Sequence, residues 1–154
     1  MSAFTKLAYH VVFGTKYRQP SIRPEFRDRF YDYLGGIIRG LNGNSIEIGG
    51  VEDHAHLLVN LPPTIAVSDA IRDIKANSSK WLNDLLDANT RFEWQKGYAA
   101  FTVSHSQIDA VRNYLRGQEE HHRRRTFKEE YIEFLQRHGI EYDDRYLFEA
   151  EQHG

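Results

Sequence analysis

The stretch Val51-Glu52-Asp53-His54-Ala55-His56-Leu57-Leu58-Val59-Asn60 decides how the chain is read. Leu57-Leu58-Val59 is apolar and β-prone, the composition of a strand buried in a sheet. Side chains at alternate strand positions leave the same face. His54 and His56 therefore project side by side, while Ala55 and Leu57 turn the other way into packing. Two imidazoles on one rigid strand make half of a divalent-metal site. A His-x-His pair alone more often marks two partly buried polar residues at a strand entrance, so its meaning rests on its surroundings.

Working outward, residues 45–51 alternate Ile46, Ile48 and a glycine pair, and they meet the histidine strand through Glu52-Asp53, which predicts a hairpin. Upstream, the aromatic and β-branched run 7–17 predicts a first strand. Pro20 and Pro24 break it, with Pro24 suited to the first turn of a helix. Phe26, Phe30, Tyr33, Leu34, Ile37, Ile38 and Leu41 recur at helical spacing, and Asn42-Gly43-Asn44 ends that helix. Downstream, Pro62-Pro63 stops the third strand. A second helix follows with Val67, Ala70, Ile71, Ile74, Trp81, Leu82 and Leu85 on one stripe and Ser68 as its expected N-cap. Residues 94–104 predict a fourth strand. A third helix is expected over about 107–120, capped by Ser104 or Ser106, and a last one over 126–138, closed by Gly139. The order strand, helix, strand, strand, helix, strand is the split βαβ pattern. The expected class is α+β: a ferredoxin-like antiparallel sheet with two helices on one face, and residues 105–138 free to cover part of the other.

A chain of 154 residues suits one domain with a real core, expected over 1–139, followed by a loosely attached acidic tail at 140–154. Hydrophobic content of 40% and charged content of 27% are ordinary for a soluble protein. No apolar run approaches the ~20 residues a bilayer span needs, and the N-terminus lacks a signal-peptide core, so no membrane partner and a cytoplasmic location are expected. The absence of cysteine removes thiolate sites; any metal must sit on His, carboxylate or amide groups. The net charge of −2 is uneven, because Glu141, Asp143, Asp144, Glu149 and Glu151 crowd the tail while Arg112, Arg116 and Arg123-Arg124-Arg125 form a basic cluster upstream.

In the third helix, Tyr114 and Gln118 lie four apart and share a face. With His54-Ala55-His56-Leu57-Leu58-Val59, this Tyr-x-x-x-Gln helix resembles the single-tyrosine HUH transposases of the IS200-like insertion sequences. Further stretches carry the resemblance: Val11-Val12-Phe13-Gly14-Thr15-Lys16-Tyr17-Arg18, Ile74-Lys75-Ala76-Asn77-Ser78-Ser79-Lys80-Trp81-Leu82, the fourth strand from Trp94 to Ser104, and Gln118-Glu119-Glu120-His121-His122. Together they span about 7–135. Ala55 departs from the family, which prefers a larger apolar residue there; since it faces the core, a small packing loss is expected.

The resemblance implies a metal-dependent enzyme that cuts and rejoins single-stranded DNA through a 5′-phosphotyrosine, with hairpins at the element ends as substrate. It implies His54, His56 and Gln118 as metal ligands, Tyr114 on a C-terminal helix as nucleophile, and a homodimer. Imidazole and amide donors without thiolate suit Mg²⁺ or Mn²⁺, with Mn²⁺ more comfortable on imidazole. A phenol is a weak nucleophile at its free pKa of ~10, and Arg112 or Arg116 are the candidates for favouring its phenolate. The ester keeps the bond energy, so no nucleotide cofactor is needed, and no Gly-rich phosphate loop with Lys-Ser/Thr is present. Candidate DNA contacts are Lys16 and Arg18 beside Tyr17, Arg72, Lys75 and Lys80 on the second helix, Arg112, Arg116 and Arg123. Two other readings stay open: a non-catalytic nucleic-acid-binding sheet presenting Tyr9, Phe13 and Phe101 to bases, and a small metal-dependent hydrolase using His54, His56 and either His121 or His122.

Overall fold

The structure, a computed structural model, describes residues 2–87 and 89–148. Four strands, β1 (Ala8–Gly14), β2 (Asn44–Val51), β3 (His54–Asn60) and β4 (Ala99–Val103), pair antiparallel in the order β2-β3-β1-β4. Helices α1 (Pro24–Gly40) and α2 (Val67–Leu85) cover one face. This is the expected ferredoxin-like arrangement, with the histidine strand β3 and β1 at the centre. Pro24 opens α1 as anticipated.

Strand alternation sorts the side chains. Val11, Phe13, Ala55, Leu57 and Val59 face α1 and α2, where they meet Phe30, Leu34, Ile38, Ala70, Ile71 and Ile74 in the main core. His10, Val12, His54 and His56 occupy the alternate positions, paired across the register Gly14↔His54, Val12↔His56 and His10↔Leu58. That second face is covered by α3 (Ile108–Arg116), α4 (Gln118–His122) and α5 (Phe127–Arg137). Val12, Ala99, Phe101, Phe127, Tyr131 and Leu135 form its apolar cluster. Phe13 and Phe101 are therefore both buried, and the reading of a bare sheet offering aromatics to bases is overturned.

Boundaries moved where local sequence was ambiguous. The fourth strand begins at Ala99, not 94; Trp94 makes one bridge to Thr15, and its indole turns into the core, donating to Ser78 Oγ at 2.9 Å. The long third helix breaks at Gly117, a poor helix residue, into α3 and α4. Neither Ser104 nor Ser106 caps α3 with its side chain; their hydroxyls lie 3.2 Å from each other. Ser68 sits inside α2, whose N-cap is Ala66. Thr126 does cap α5, in a capping box with Glu129. The start of the acidic tail packs on α5: Lys128 pairs with Asp144 at 3.3 Å, and the Phe148 ring lies 5.3 Å from Tyr131. Glu149 and Glu151 fall outside the described residues. Among the described residues no helix is long and apolar enough to cross a membrane.

Candidate active site

Two glycines let the helices of the second face approach. A Cβ on Gly49 of β2 would stand 2.4 Å from the Leu115 carbonyl oxygen, so α3 lies directly on the strand. A Cβ on Gly14 of β1 would stand 2.5 Å from the Phe127 ring, so α5 does the same. Between them, Tyr114, Gln118, His122 and Glu130 point down at His54 and His56. The two imidazoles and the Glu130 carboxylate are fully buried, and Gln118 is nearly so.

The three imidazoles share one pattern. His54 Nδ1 meets Asp53 Oδ1 at 2.7 Å, His56 Nδ1 meets His10 Nε2 at 2.8 Å, and His122 Nδ1 meets the Arg125 carbonyl at 3.1 Å. Each ring is thereby held with its Nε2 aimed inward, the way outer partners orient metal-binding imidazoles. The three Nε2 atoms surround Glu130 Oε1 at 3.3, 2.9 and 3.2 Å, in the order His54, His56, His122. Gln118 Oε1 lies 2.9 Å from His54 Nε2 and 3.1 Å from His122 Nε2. On the other side of the carboxylate, Glu130 Oε2 accepts from Gln118 Nε2 at 3.1 Å and from the Tyr114 hydroxyl. Arg125 Nη2 donates to that hydroxyl at 2.6 Å.

Burial and hydrogen bonding compete at each group. Burial pushes His54 down, but hydrogen bonds to Asp53 and Glu130 outweigh it and hold the ring at about 9. Both of its nitrogens face oxygen atoms, Asp53 Oδ1 at 2.7 Å and Glu130 Oε1 at 3.3 Å. His56 goes the other way: burial lowers it, and the hydrogen bond to Glu130 does not compensate. His10 is lowered by burial and by His56 beside it. Burial would raise Glu130, yet the hydrogen bonds from His122, His54 and His56 hold it far below the usual carboxylate range. The Tyr114 phenol is pushed above its ordinary value by burial and then by the Glu130 charge, with Arg125 pulling it back.

One ligand atom each from His54, His56, His122 and Glu130 lies within 4.8 Å of the others, so these residues can hold a metal ion. At bond lengths of about 2.1 Å, neighbouring donors in a coordination shell sit roughly 3–3.5 Å apart, close to the Oε1–Nε2 spacings of 2.9, 3.2 and 3.3 Å. The donor set and the oriented rings both fit a divalent cation.

Against known proteins, the family model described as "Transposase IS200 like" matches residues 3–118. The chain belongs to the IS200-like transposase family. It is similar to the transposase for insertion sequence element IS200 of Salmonella typhimurium, 28% identical over 115 residues that cover 71% of this chain and 75% of the relative. It is likewise similar to the ISDra2 transposase TnpA of Deinococcus radiodurans, 27% identical over 123 residues, 73% and 84% of the two chains. A crystal structure from Deinococcus radiodurans, described as a transposase, superposes with a TM-score of 0.63 at 23% identity, covering 77% of this chain and 95% of that one. A REP-associated tyrosine transposase bound to a REP hairpin gives a TM-score of 0.55 at 12% identity, covering 75% and 70%. The two solved structures establish the shared fold.

Within this transposase fold the sequence-derived site residues separate into groups. His54, His56, Gln118 and Tyr114 converge in one chain. Arg112 and Arg116 do not reach the phenol; both turn to Glu47 of β2, at 3.9 and 2.8 Å, and the phenol's cation is Arg125. Of the proposed DNA contacts, Lys16, Arg72 and Lys75 line one cavity of about 500 Å³ on the α2 side, joined there by Arg91 and Lys96. Lys75 also donates to the Gln95 and Gly97 carbonyls at 2.8 and 2.6 Å. Lys80 pairs with Asp84, Arg123 with Glu120, and the Arg18 guanidinium lies over the Phe148 ring. His10, Asp53 and Glu130 went unrecognised in the sequence as site residues, and Arg125 was read there only as part of a basic cluster. Glu130 alone had a readable signal, since it interrupts the apolar stripe of Phe127, Tyr131, Phe134 and Leu135.

Proposed function

We propose that this transposase cleaves and rejoins single-stranded DNA through a 5′-phosphotyrosine on Tyr114, with Mg²⁺ or Mn²⁺ held by His54, His56 and Gln118. The observation that carries this reading is that the Tyr114 hydroxyl and the two imidazoles share one hydrogen-bonded cluster through Glu130, within a single chain. A bound divalent cation supplies Lewis-acid stabilisation of the negative phosphate oxygens.

The chain's own groups carry the remaining work. Tyr114 Oη attacks the phosphorus; the Oη–P bond forms and the P–O3′ bond breaks, which leaves a free 3′-hydroxyl once that oxygen takes a proton. The phenolic proton already points at Glu130 Oε2, and Arg125 stabilises negative charge developing on Oη. Tyr114 is half-buried and borders a cavity of about 230 Å³ lined by His10, Ala110, Val111, Phe134 and Arg137, a route for a phosphate to reach it. The basic cavity beside Lys16, Arg72 and Lys75 offers a separate surface for the DNA backbone, and hairpins at the element ends are the expected ligand. One tyrosine per chain and two ends per element call for a homodimer.

The test is incubation with Mn²⁺ or Mg²⁺ and labelled single-stranded oligonucleotides carrying the hairpins that flank the gene, followed by a denaturing gel. DNA migrating with the protein is expected for the wild type and absent for Tyr114→Phe. An adduct that persists in Tyr114→Phe removes the tyrosine from this role. A metal-dependent hydrolase using His54, His56 and His122 predicts cleaved DNA with no adduct.

A further inference from the structure

We propose that Glu130 is an anionic ligand of the active-site cation, and that this bond clamps helix α5 over Tyr114. The inference rests on the reading above and extends it beyond the matched segment: the family match ends at residue 118, whereas His122, Arg125 and Glu130 all follow it.

The position of Glu130 makes no sense as packing. It lies in the apolar stripe of α5 between Phe127 and Tyr131, where Leu or Met would serve. A fully buried carboxylate costs several kcal/mol unless charge and hydrogen bonds offset it. A dication bonded to Oε1 and to the neighbouring Nε2 atoms supplies that offsetting charge.

The carboxylate also divides its two oxygens. Oε1 faces only the imidazole nitrogens, at the spacing of neighbouring donors in a coordination shell. Oε2 holds the Tyr114 hydroxyl and the Gln118 amide nitrogen. A cation bound through Oε1 leaves Oε2 on the phenol, so one side chain couples the metal to the nucleophile. Helix α5 is otherwise attached by the Phe127, Tyr131 and Leu135 cluster and by stacking of Phe127 on His54, with ring centroids 4.2 Å apart. The metal bond adds a central polar anchor to that attachment. With Glu130 added to His54, His56 and Gln118, a set that includes imidazoles rather than oxygens alone favours Mn²⁺ over Mg²⁺.

The experiment combines calorimetric titration of Mn²⁺ into the full chain with hydrogen exchange of residues 127–137, with and without Mn²⁺. For the wild type, Mn²⁺ binds and slows exchange along α5. For Glu130→Gln, which keeps the shape and removes the charge, Mn²⁺ affinity falls at least about ten-fold and the slowing of α5 disappears. Unchanged or tighter Mn²⁺ binding by Glu130→Gln overturns the proposal; tighter binding means that Glu130 competes with the cation. If Glu130→Gln does not fold, the wild-type exchange decides alone, and α5 rates indifferent to Mn²⁺ overturn the clamp. His56→Ala separates the two levels. If it binds Mn²⁺ like the wild type, the cation reading of the whole site fails. If it loses Mn²⁺ while Glu130→Gln does not, only the role of Glu130 fails.

Discussion

The two faces of the sheet are built from the same strands and could hardly differ more. Facing α1 and α2, β1 and β3 present Val11, Phe13, Ala55, Leu57 and Val59, an apolar layer closed by Phe30, Phe92 and Trp94. Facing α3, α4 and α5, the alternate positions of the same strands present His10, His54 and His56, and the helices answer with Gln118, His122 and Glu130. A period of two lets one strand serve both ends. The apolar face supplies the free energy that the buried polar face consumes, at roughly 1.5–3 kcal/mol for each large side chain buried. The histidine pair can be rigid and dry because its strand is anchored from behind.

If that division is real, damage to each face has a different signature. The largest effect is expected from Phe30→Ala, which empties a fully buried ring site packed on Phe92 and Trp94. Denaturant unfolding should show a loss of about 3–5 kcal/mol, while Mn²⁺ affinity of the folded protein stays at the wild-type value. A drop in affinity breaks the comparison, because the faces are then mechanically coupled. Next comes the metal itself. At about 100 times its Kd, Mn²⁺ should stabilise the wild type by ~2.7 kcal/mol in thermal or denaturant unfolding. A chelator should reverse the gain, and His56→Ala should abolish it. Equal stabilisation of His56→Ala places the cation elsewhere.

The apolar face was the legible one. Its periodicities revealed α1, α2 and the succession of strands and helices along the chain, because hydrophobic spacing is a local property of the chain. On the polar face the sequence yielded His54, His56, Tyr114 and Gln118, which combine spacing with a family resemblance, but not their company. His10 sits on another strand and joins His56 only through the register that aligns Val12 with His56. Arg112 and Arg116 looked like the cations for the phenol because they neighbour it in sequence. They leave α3 towards Glu47, and Arg125 arrives from the turn before α5. Such meetings are long-range and carry no local pattern. The break at Gly117 was visible as a glycine but not as a boundary, since a helix often tolerates one.

Smaller effects sharpen the contrast on the polar face. Gly49→Ala places a methyl against the Leu115 carbonyl, next to Tyr114. We expect overpacking of about 1–3 kcal/mol and a lower yield of covalent adduct, because α3 must lift and carry the phenol away from Glu130. Wild-type adduct yield alongside the stability loss means that the tyrosine helix tolerates displacement.

The mildest perturbation is also the most local. Thr126 Oγ1 accepts from the Glu129 amide at 3.1 Å, and Glu129 Oε1 accepts from the Thr126 amide at 3.0 Å, fixing the first turn of α5. Thr126→Ala removes one arm of this box at a cost of ~1 kcal/mol, with no contact to the imidazoles or the phenol disturbed directly. If α5 is a module of the polar face, hydrogen exchange should quicken across 127–137 while α1 and α2 keep their rates. Mn²⁺ should restore part of the protection, since a ligand that binds the docked helix favours docking by mass action. Uniform quickening of both faces would instead mean that α5 unfolds only with the whole domain. The metal-bound carboxylate would then be one contact of a single cooperative core, and the two faces would be separable in chemistry but not in stability.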